Sequence, residues 1–550
     1  MNKDDHHHQH PPPSMEEEEQ MQELRLKASE LLLREEWHDS VQVYTQFITL
    51  CRSHIEKHPP PLCNSPHLTK IQRSLCLGLS NRAEAHFRLR DPDKALRDCN
   101  QALEIEPTHY KSLLGKGRIL FALNRYSAAL LCFKSALLED PQSNETLNGY
   151  IEKCKKLESL SRTGAFDLTD WVLNGFRGKT PELAEYVGAV KIKRSEELSG
   201  RGLFATKNMD AGTLVLVTRA IATERCILSN EEEDSAENAQ LVMWKSFIDQ
   251  VSDSAAKCTW IRRLISTLSP GDDEASLEIP ETELFKRELT EECGESEPDL
   301  SSDDLLNILD VNSLVEDSVS AKVLGKNSDY YGVGLWVLAS FINHSCIPNS
   351  RRLHVGDYVM VHLSKDVKAG EELTFSYFDV LLPLEKRKEM SQTWGFSCHC
   401  RRCRFEEGFW ADKQELKEIE MMGLGKGKGM VDFGGVIFRI EEAMKRWNVR
   451  GREKGYLRAS FWGVYEDGYA SVKRWGRRIP ASDVVVESVA EAVGSDERLL
   501  KVLMRDMTNK SGVLEIERAM KLGKGVYGKV VKKKSLRSLI GVEIQEQKVY

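Results

Sequence analysis

From about residue 21 to 156, apolar residues recur at helical spacing, and the pattern then repeats itself. Aligning "LSNRAEAHFRLRDPDKALRDCNQALEIEP" with "LLGKGRILFALNRYSAALLCFKSALLEDP" sets Ala83 against Gly117 and Ala95 against Ala129. It also sets Ala102 against Ala136 and Pro107 against Pro141, each pair 34 residues apart. Small residues at such points let paired helices approach closely, and a proline closes each unit. "LRLKASELLLREEWHDSVQVYTQFI" reads as an earlier and weaker copy, with Ala28, Ser40, Tyr44 and Phe47 in register. The insertion "HIEKHPPPLCNSPHLTK" separates it from the second copy. Three stacked helix pairs are expected.

The period changes after a mixed linker at 157–187. "YVGAVKIKRSEELSGRGLFATKNMDAGTLVLVTRAIATE" has short β-branched runs broken by Gly and Asp-Ala-Gly turns, a strand-and-turn signature. Residues 228–325 are acidic and read as irregular, with short helical pieces. Strand patterning returns in "RRLHVGDYVMVHLSKDVKAGEELTFSY", and helical signals resume from about 383. The predicted fold class is multidomain α+β: a helical superhelix at 21–156, a β-rich domain at 188–379 with the acidic insert, and a helical region at 406–550. Residues 380–405 form a cysteine-bearing segment between the last two. Residues 1–20, rich in His, Pro and Glu, read as a disordered tail.

The 34-residue period resembles the tetratricopeptide (TPR) repeat. Stacked TPR helix pairs present a concave surface, so the resemblance implies a bound partner protein. Some TPR domains clamp the acidic tail of chaperones. Asn81 and Lys111 fall where two clamp residues would stand, and Arg25 keeps the charge of a third. Ser29 and Gly115 do not fit the remaining positions, which weakens the chaperone-tail reading.

Composition narrows the class further. The hydrophobic content of 41% can bury a core, and the net charge of −8 argues against a general nucleic-acid binder. No apolar run approaches the ~20 residues of a membrane span. The N-terminus lacks a signal pattern, so an intracellular site, nuclear or cytoplasmic, is expected. Thirteen cysteines in 550 residues do not make a disulfide scaffold, yet Cys398, Cys400 and Cys403 crowd into "CHCRRC".

Four short pieces carry the candidate chemistry: "SGRGLFAT" (199–206), "FINHSCIPNS" (341–350), "GEELTFSYFD" (370–379) and "WGFSCHCRRC" (394–403). Gly200 and Gly202 allow a tight turn and close backbone approach to a ligand. Asn343 and His344 carry donors and acceptors, and the three clustered thiols are candidate metal ligands. In this order the four pieces resemble the SET-domain protein-lysine methyltransferases with their cysteine-rich post-SET segment, over about 188–403. The split layout is most similar to SET–MYND proteins, and the whole chain to plant TPR–SET proteins. Between the early strands and the Asn-His segment only Cys226, Cys258 and Cys293 occur, without a Cys-x-x-Cys pair, so no MYND-type zinc module is expected.

The resemblance implies S-adenosylmethionine (SAM) as cosubstrate, contacted by the Gly200–Gly202–Leu203 loop, by Asn343 and His344, by Tyr377, and by Phe396 against the adenine. It implies a structural zinc held by Cys346, Cys398, Cys400 and Cys403, with His399 pointing away. Tyr377 is the implied catalytic residue. A Phe at 375, two before it, implies room for more than one added methyl. The expected activity is methyl transfer to lysine of a histone or other protein; a scaffold that has lost catalysis is the alternative.

Overall fold

The computed structural model describes residues 15–57, 66–140, 142, 144–174, 181–195, 200–227, 233–271, 276–289, 300–316, 330–410, 432–470, 479–507 and 513–538. The N-terminal histidine run, Pro141 and Cys293 lie outside these residues. The chain forms two units: one runs to Ser159 and takes in 250–263 and 286–300, and the other comprises 160–249, 264–285 and 301–550.

The first unit is built from α1 (Met15–Leu33), α2 (Trp37–Lys57), α3 (Pro66–Arg88), α4 (Pro92–Ile105), α5 (Tyr110–Ala122), α6 (Tyr126–Glu139) and most of α7 (Asn144–Thr163). The sequence period reappears in the backbone. Glu35, Arg90 and Asn124 take positive φ of 62°, 56° and 60° between the helices of successive pairs. The next amide in each turn, of Glu36, Asp91 or Arg125, donates to Leu31, His86 or Leu120 at 2.9–3.0 Å. This bond closes the preceding helix. Ala28, Ala95, Ala102, Ala129 and Ala136 are fully buried. A Cβ on Gly117 would come within 2.7 Å of the Phe133 ring, so the helix pair packs too closely for any side chain there.

Helix α1 begins at Met15, inside the stretch expected to be a disordered tail. Glu and Gln favour helix, and acidic residues suit a helix N-terminus, so composition alone misread residues 15–20. Parts of the insert belong to this unit. The Thr259 amide donates to Asp93 at 2.7 Å, Ser127 N donates to Glu288 at 2.9 Å, and Arg287 lies 4.0 Å from the Trp260 ring.

The strands lie in the second unit: β1 (Tyr186–Val187), β2 (Val190–Arg194), β3 (Arg201–Ala205), β4 (Leu214–Arg219), β5 (Thr223–Ile227), β6 (Leu314–Val315), β7 (Tyr330–Gly334), β8 (Asn343–His344), β9 (Ser350–Val355), β10 (Tyr358–Leu363) and β11 (Thr374–Phe375). They form a sheet of order β1-β4-β10-β9, a sheet β5-β7-β6 and the pairs β2-β3 and β8-β11. The β8–β11 pair is parallel, with Thr374 opposite Asn343 and Phe375 opposite His344. That register brings two of the sequence motifs side by side. Leu203, Val217, Trp336, Val359, Val361 and Phe375 form part of the core.

Helices complete the chain: α8 (Thr169–Leu173), α9 (Glu233–Lys257), α10 (Thr259–Ser266), α11 (Ser302–Asn312), α12 (Val337–Ser340), α13 (Leu384–Thr393), α14 (Arg401–Trp410), α15 (Phe433–Arg446), α16 (Gly451–Ser460), α17 (Trp462–Ala470), α18 (Ser482–Val493), α19 (Glu497–Met507) and α20 (Val513–Tyr527). The described parts of the acidic insert therefore hold more regular structure than its composition suggested. Met243, Phe247, Val251 and Ala255 recur every four residues along α9 and are all buried. Ser301 caps α11 by accepting from the Asp304 amide at 3.1 Å. In the C-terminal helices a buried Glu441 receives two hydrogen bonds from Arg458, at 2.8 and 3.0 Å, and one from Tyr465 at 2.9 Å. Among the described residues no helix is long and apolar enough to cross a membrane.

Candidate functional site

The sulfur atoms come together first. Cys346 follows β8, and Cys398, Cys400 and Cys403 follow α13 and open α14; all four Sγ atoms lie within 4.8 Å of one another. Cys346 Sγ is 3.8 Å from that of Cys398 and 3.6 Å from that of Cys403. A disulfide would need about 2.05 Å. A tetrahedron of sulfurs at about 2.3 Å from a central ion has edges of about 3.8 Å, so the spacing fits a closed tetrathiolate metal site. Hydrogen bonding with Cys398, Cys400 and Cys403 holds the Cys346 thiol well below the usual thiol range. His399 is exposed and stands outside this cluster.

Beside the sulfurs is a cavity of about 1310 Å³. Gly200, Arg201, Asn343, His344, Tyr377, Phe396 and Cys398 all border it, so segments up to about 200 residues apart in the chain meet at one place. Other walls come from α9 (Trp244), α11 (Asn307, Asp310) and the turn at Leu268–Gly271.

Tyr377 lies in a bend just beyond β11. Its hydroxyl donates to the Ile342 carbonyl at 3.0 Å, and its amide donates to His344 Nδ1 at 3.0 Å. Burial pushes the phenol above the ordinary tyrosine range, so it stays protonated. The ring is enclosed by aromatic neighbours, with centroids of His344, Trp394 and Phe396 at 5.3, 5.3 and 5.8 Å. Phe396 reaches the site because Gly395, at φ 73°, reverses the chain after α13 and lets the Phe396 amide bond Ser391 O at 3.0 Å.

The structure alters the expected use of several residues. The resemblance implied a SAM contact for His344, which borders the cavity. His344 Nδ1 accepts from Tyr377, which puts the ring proton on Nε2, and Nε2 sits 3.4 Å from Cys346 Sγ. The imidazole therefore ties Tyr377 to the sulfur cluster. Asn343 Nδ2 is likewise engaged, with Arg201 O at 3.1 Å and Glu372 Oε1 at 2.7 Å. Gly202 and Leu203 do not border the cavity. Leu203 is core, and Gly202 lies behind the wall, where a Cβ would strike the Glu372 carboxylate.

Phe375 is also absent from the cavity wall. It is 1% exposed, packed 5.6 Å from the Tyr377 ring and 5.0 Å from the Arg352 guanidinium. Strand β11 ends at Phe375, so alternation along a strand does not extend to Tyr377.

Sequence reasoning missed four neighbours. Glu372 holds Asn343 and accepts from Ser195 at 2.7 Å. Arg201 donates to the carbonyls of Thr267 and Glu278 at 2.7 and 2.9 Å. Phe378 stacks on His344 at 4.2 Å, and Trp394 faces Tyr377. Each adjoins or lies within a quoted motif, the one signal that marked them.

In the helical repeats, Lys111 Nζ donates to Asn81 Oδ1, and Asn81 Nδ2 donates to the Tyr44 hydroxyl at 2.7 Å. Ser29 and Tyr44 share a further bond of 2.9 Å. Burial pushes the Lys111 amine below the ordinary lysine range.

Comparison with known proteins follows the same division. Residues 200–378 match the SET domain, and residues 77–109 match the tetratricopeptide repeat. A Gibberella zeae protein named "Methyltransferase" is 27% identical over 348 residues, 60% of this chain and 46% of its own length. Mouse (Mus musculus) histone-lysine N-methyltransferase SMYD3 is 37% identical over 101 residues, 16% of this chain and 24% of its own length. The chain thus spans less than half the length of these curated relatives. Among solved structures, the TPR2B domain of yeast Sti1 is 23% identical and covers 25% of this chain and 98% of its own, at a TM-score of 0.20. The chain carries a tetratricopeptide repeat ahead of a strand-rich SET domain, and its relatives include SET-type lysine methyltransferases.

Proposed function

We propose that the protein is a SAM-dependent methyltransferase acting on lysine side chains of a protein substrate. The observation that carries this reading is the meeting of Asn343, Tyr377, Phe396 and the four-thiol cluster around one cavity. Bound there, SAM would supply an electrophilic methyl group on a positively charged sulfur.

The donor set fits such a ligand: an aromatic face at Phe396, the Asn343 side-chain oxygen, and the chain at Gly200 and Arg201, which also borders the cavity. A lysine amine has a pKa near ~10.4 and must lose a proton before its lone pair can attack. An aromatic-walled cavity and a neighbouring positive charge both disfavour the ammonium form. Tyr377 then orients the neutral amine. Its own proton is directed to Ile342 O, which leaves the phenolic oxygen as an acceptor for an amine N–H. The lone pair is thereby turned toward the methyl group, and the gain is one of alignment.

The same reading assigns a structural zinc to Cys346, Cys398, Cys400 and Cys403. It would hold the segment after α13 against β8 and keep Phe396 in place. The repeats would recruit a partner protein, and the Lys111–Asn81 pair with Arg25 suits an acidic chain end.

The test is transfer of labelled methyl from SAM to a panel of histones and lysate proteins, followed by acid hydrolysis. Labelled methyl-lysine is expected. SAM binding without label on any protein across the panel would favour the scaffold reading, and absence of SAM binding would overturn the assignment.

A further inference from the structure

The sulfur cluster adjoins a buried charge network that no motif announces. Arg387 of α13 is 1% exposed, and Arg402 and Glu406 of α14 are fully buried. Arg387 uses every arm of its guanidinium. Nε donates to Leu382 O at 3.0 Å, Nη2 to Glu406 Oε2, and Nη1 to Cys403 Sγ at 3.1 Å. Arg402 gives Nε to Glu406 Oε1 at 2.9 Å, Nη1 to Val380 O at 2.5 Å and Nη2 to Ser460 Oγ at 2.8 Å. Ser460, the last residue of α16, in turn donates to Glu406 Oε1 at 2.8 Å.

Two guanidinium groups therefore meet one carboxylate, and a positive charge is left in excess where water cannot reach. An uncompensated buried charge is strongly destabilising. The further partners of the network are two neutral carbonyls, a neutral hydroxyl and the sulfur of Cys403. A neutral thiol would leave the excess charge standing. Four thiolates around a divalent ion carry two negative charges, and Arg387 is placed to offset one of them.

We propose that Arg387 is a positioning residue of the metal centre, donating from Nη1 to the Cys403 thiolate, and that Glu406, Arg402 and Ser460 hold it there. The C-terminal helix α16 thereby becomes part of the support of the metal site. This inference rests on the metal-centre reading of the four cysteines. Partners one step removed from the metal orient the ligands and tune their basicity, and their loss typically costs about 10- to 100-fold in metal affinity.

The experiment uses the full chain loaded with zinc or cobalt(II). Metal content, chelator competition and the sulfur-to-cobalt charge-transfer band are measured for native protein, Arg387→Met, Arg387→Lys and Ser460→Ala, with thermal melts alongside. Native protein is expected to hold a stoichiometric metal. Arg387→Met should lose about 10- to 100-fold in affinity and displace the band. Arg387→Lys should recover part of both, and Ser460→Ala should show a smaller loss in the same direction. Should Arg387→Met fail to fold, Arg387→Lys decides, since a lysine cannot serve Glu406 and Cys403 with the same fork. Lowered melting with unchanged affinity and band would make Arg387 a packing residue only and overturn the inference. Native protein that takes up no metal would overturn the metal reading itself, a distinct result.

Discussion

The helical repeats and the cavity beside the four cysteines are stabilised by contacts of different reach. In the repeats the contacts that close and pack the helices are local, and they recur. A positive φ closes each pair, and small residues face large rings, as Gly117 faces Phe133. In the cavity no contact recurs. Asn343 is held by Glu372 and by Arg201, 29 and 142 residues away. His344 joins Tyr377 to Cys346. Damage in the first region should remain within a helix pair, whereas damage in the second should spread from one residue to the whole site.

The largest effect expected from this contrast is at Cys346. Cys346→Ala removes a metal ligand and the anchor beside His344, so bound zinc should fall from stoichiometric to none and SAM binding should be lost with it. Metal analysis and calorimetry check both, and SAM binding that persists without metal would separate the two sites. Phe396→Ala should leave the metal in place and weaken SAM by about 1–3 kcal/mol, the worth of an aromatic face to a base. That is roughly 5- to 150-fold in Kd.

Gly117→Val probes the opposite region. Forcing two methyl groups toward Phe133 should destabilise the first unit by about 1–3 kcal/mol, seen as an earlier melting transition. SAM affinity should not change. The smallest effect is at Lys111. Lys111→Ala should weaken binding of an acidic C-terminal peptide by about 1 kcal/mol while leaving the melt nearly unchanged. Equal binding by the variant would remove Lys111 from the partner surface.

The same contrast explains what could be read in advance. A period of 34 residues is a property of the sequence, so the repeats and their buried alanines were visible from spacing alone. The four site motifs were equally visible, as was the crowding of Cys398, Cys400 and Cys403; Cys346 joined them only through the family resemblance. What escaped was the allocation of hydrogen bonds. Whether the His344 ring faces a ligand or the protein depends on Tyr377, 33 positions on, and spacing does not record it. Phe375 is absent from the cavity wall, and the strand ends there, two residues before Tyr377, so alternation does not relate the two side chains. The long helix α9 was hidden by acidic residues on its exposed face, although its buried residues keep a strict four-residue spacing. The Arg387–Glu406–Arg402–Ser460 network spans three helices, and only its Arg402–Glu406 pair, four residues apart on one helix, is local in sequence.

Tyr377→Phe tests the central claim most directly, with turnover and SAM affinity measured on the same preparation. The substitution removes one oxygen and keeps the ring in its aromatic setting. Turnover should fall by about 10²- to 10³-fold, the usual cost of losing an oriented polar group at a reacting centre, while SAM affinity and zinc content stay near native. Undiminished methyl transfer by the variant would contradict the account, because the hydroxyl bonded to Ile342 would then have no part in aligning the amine.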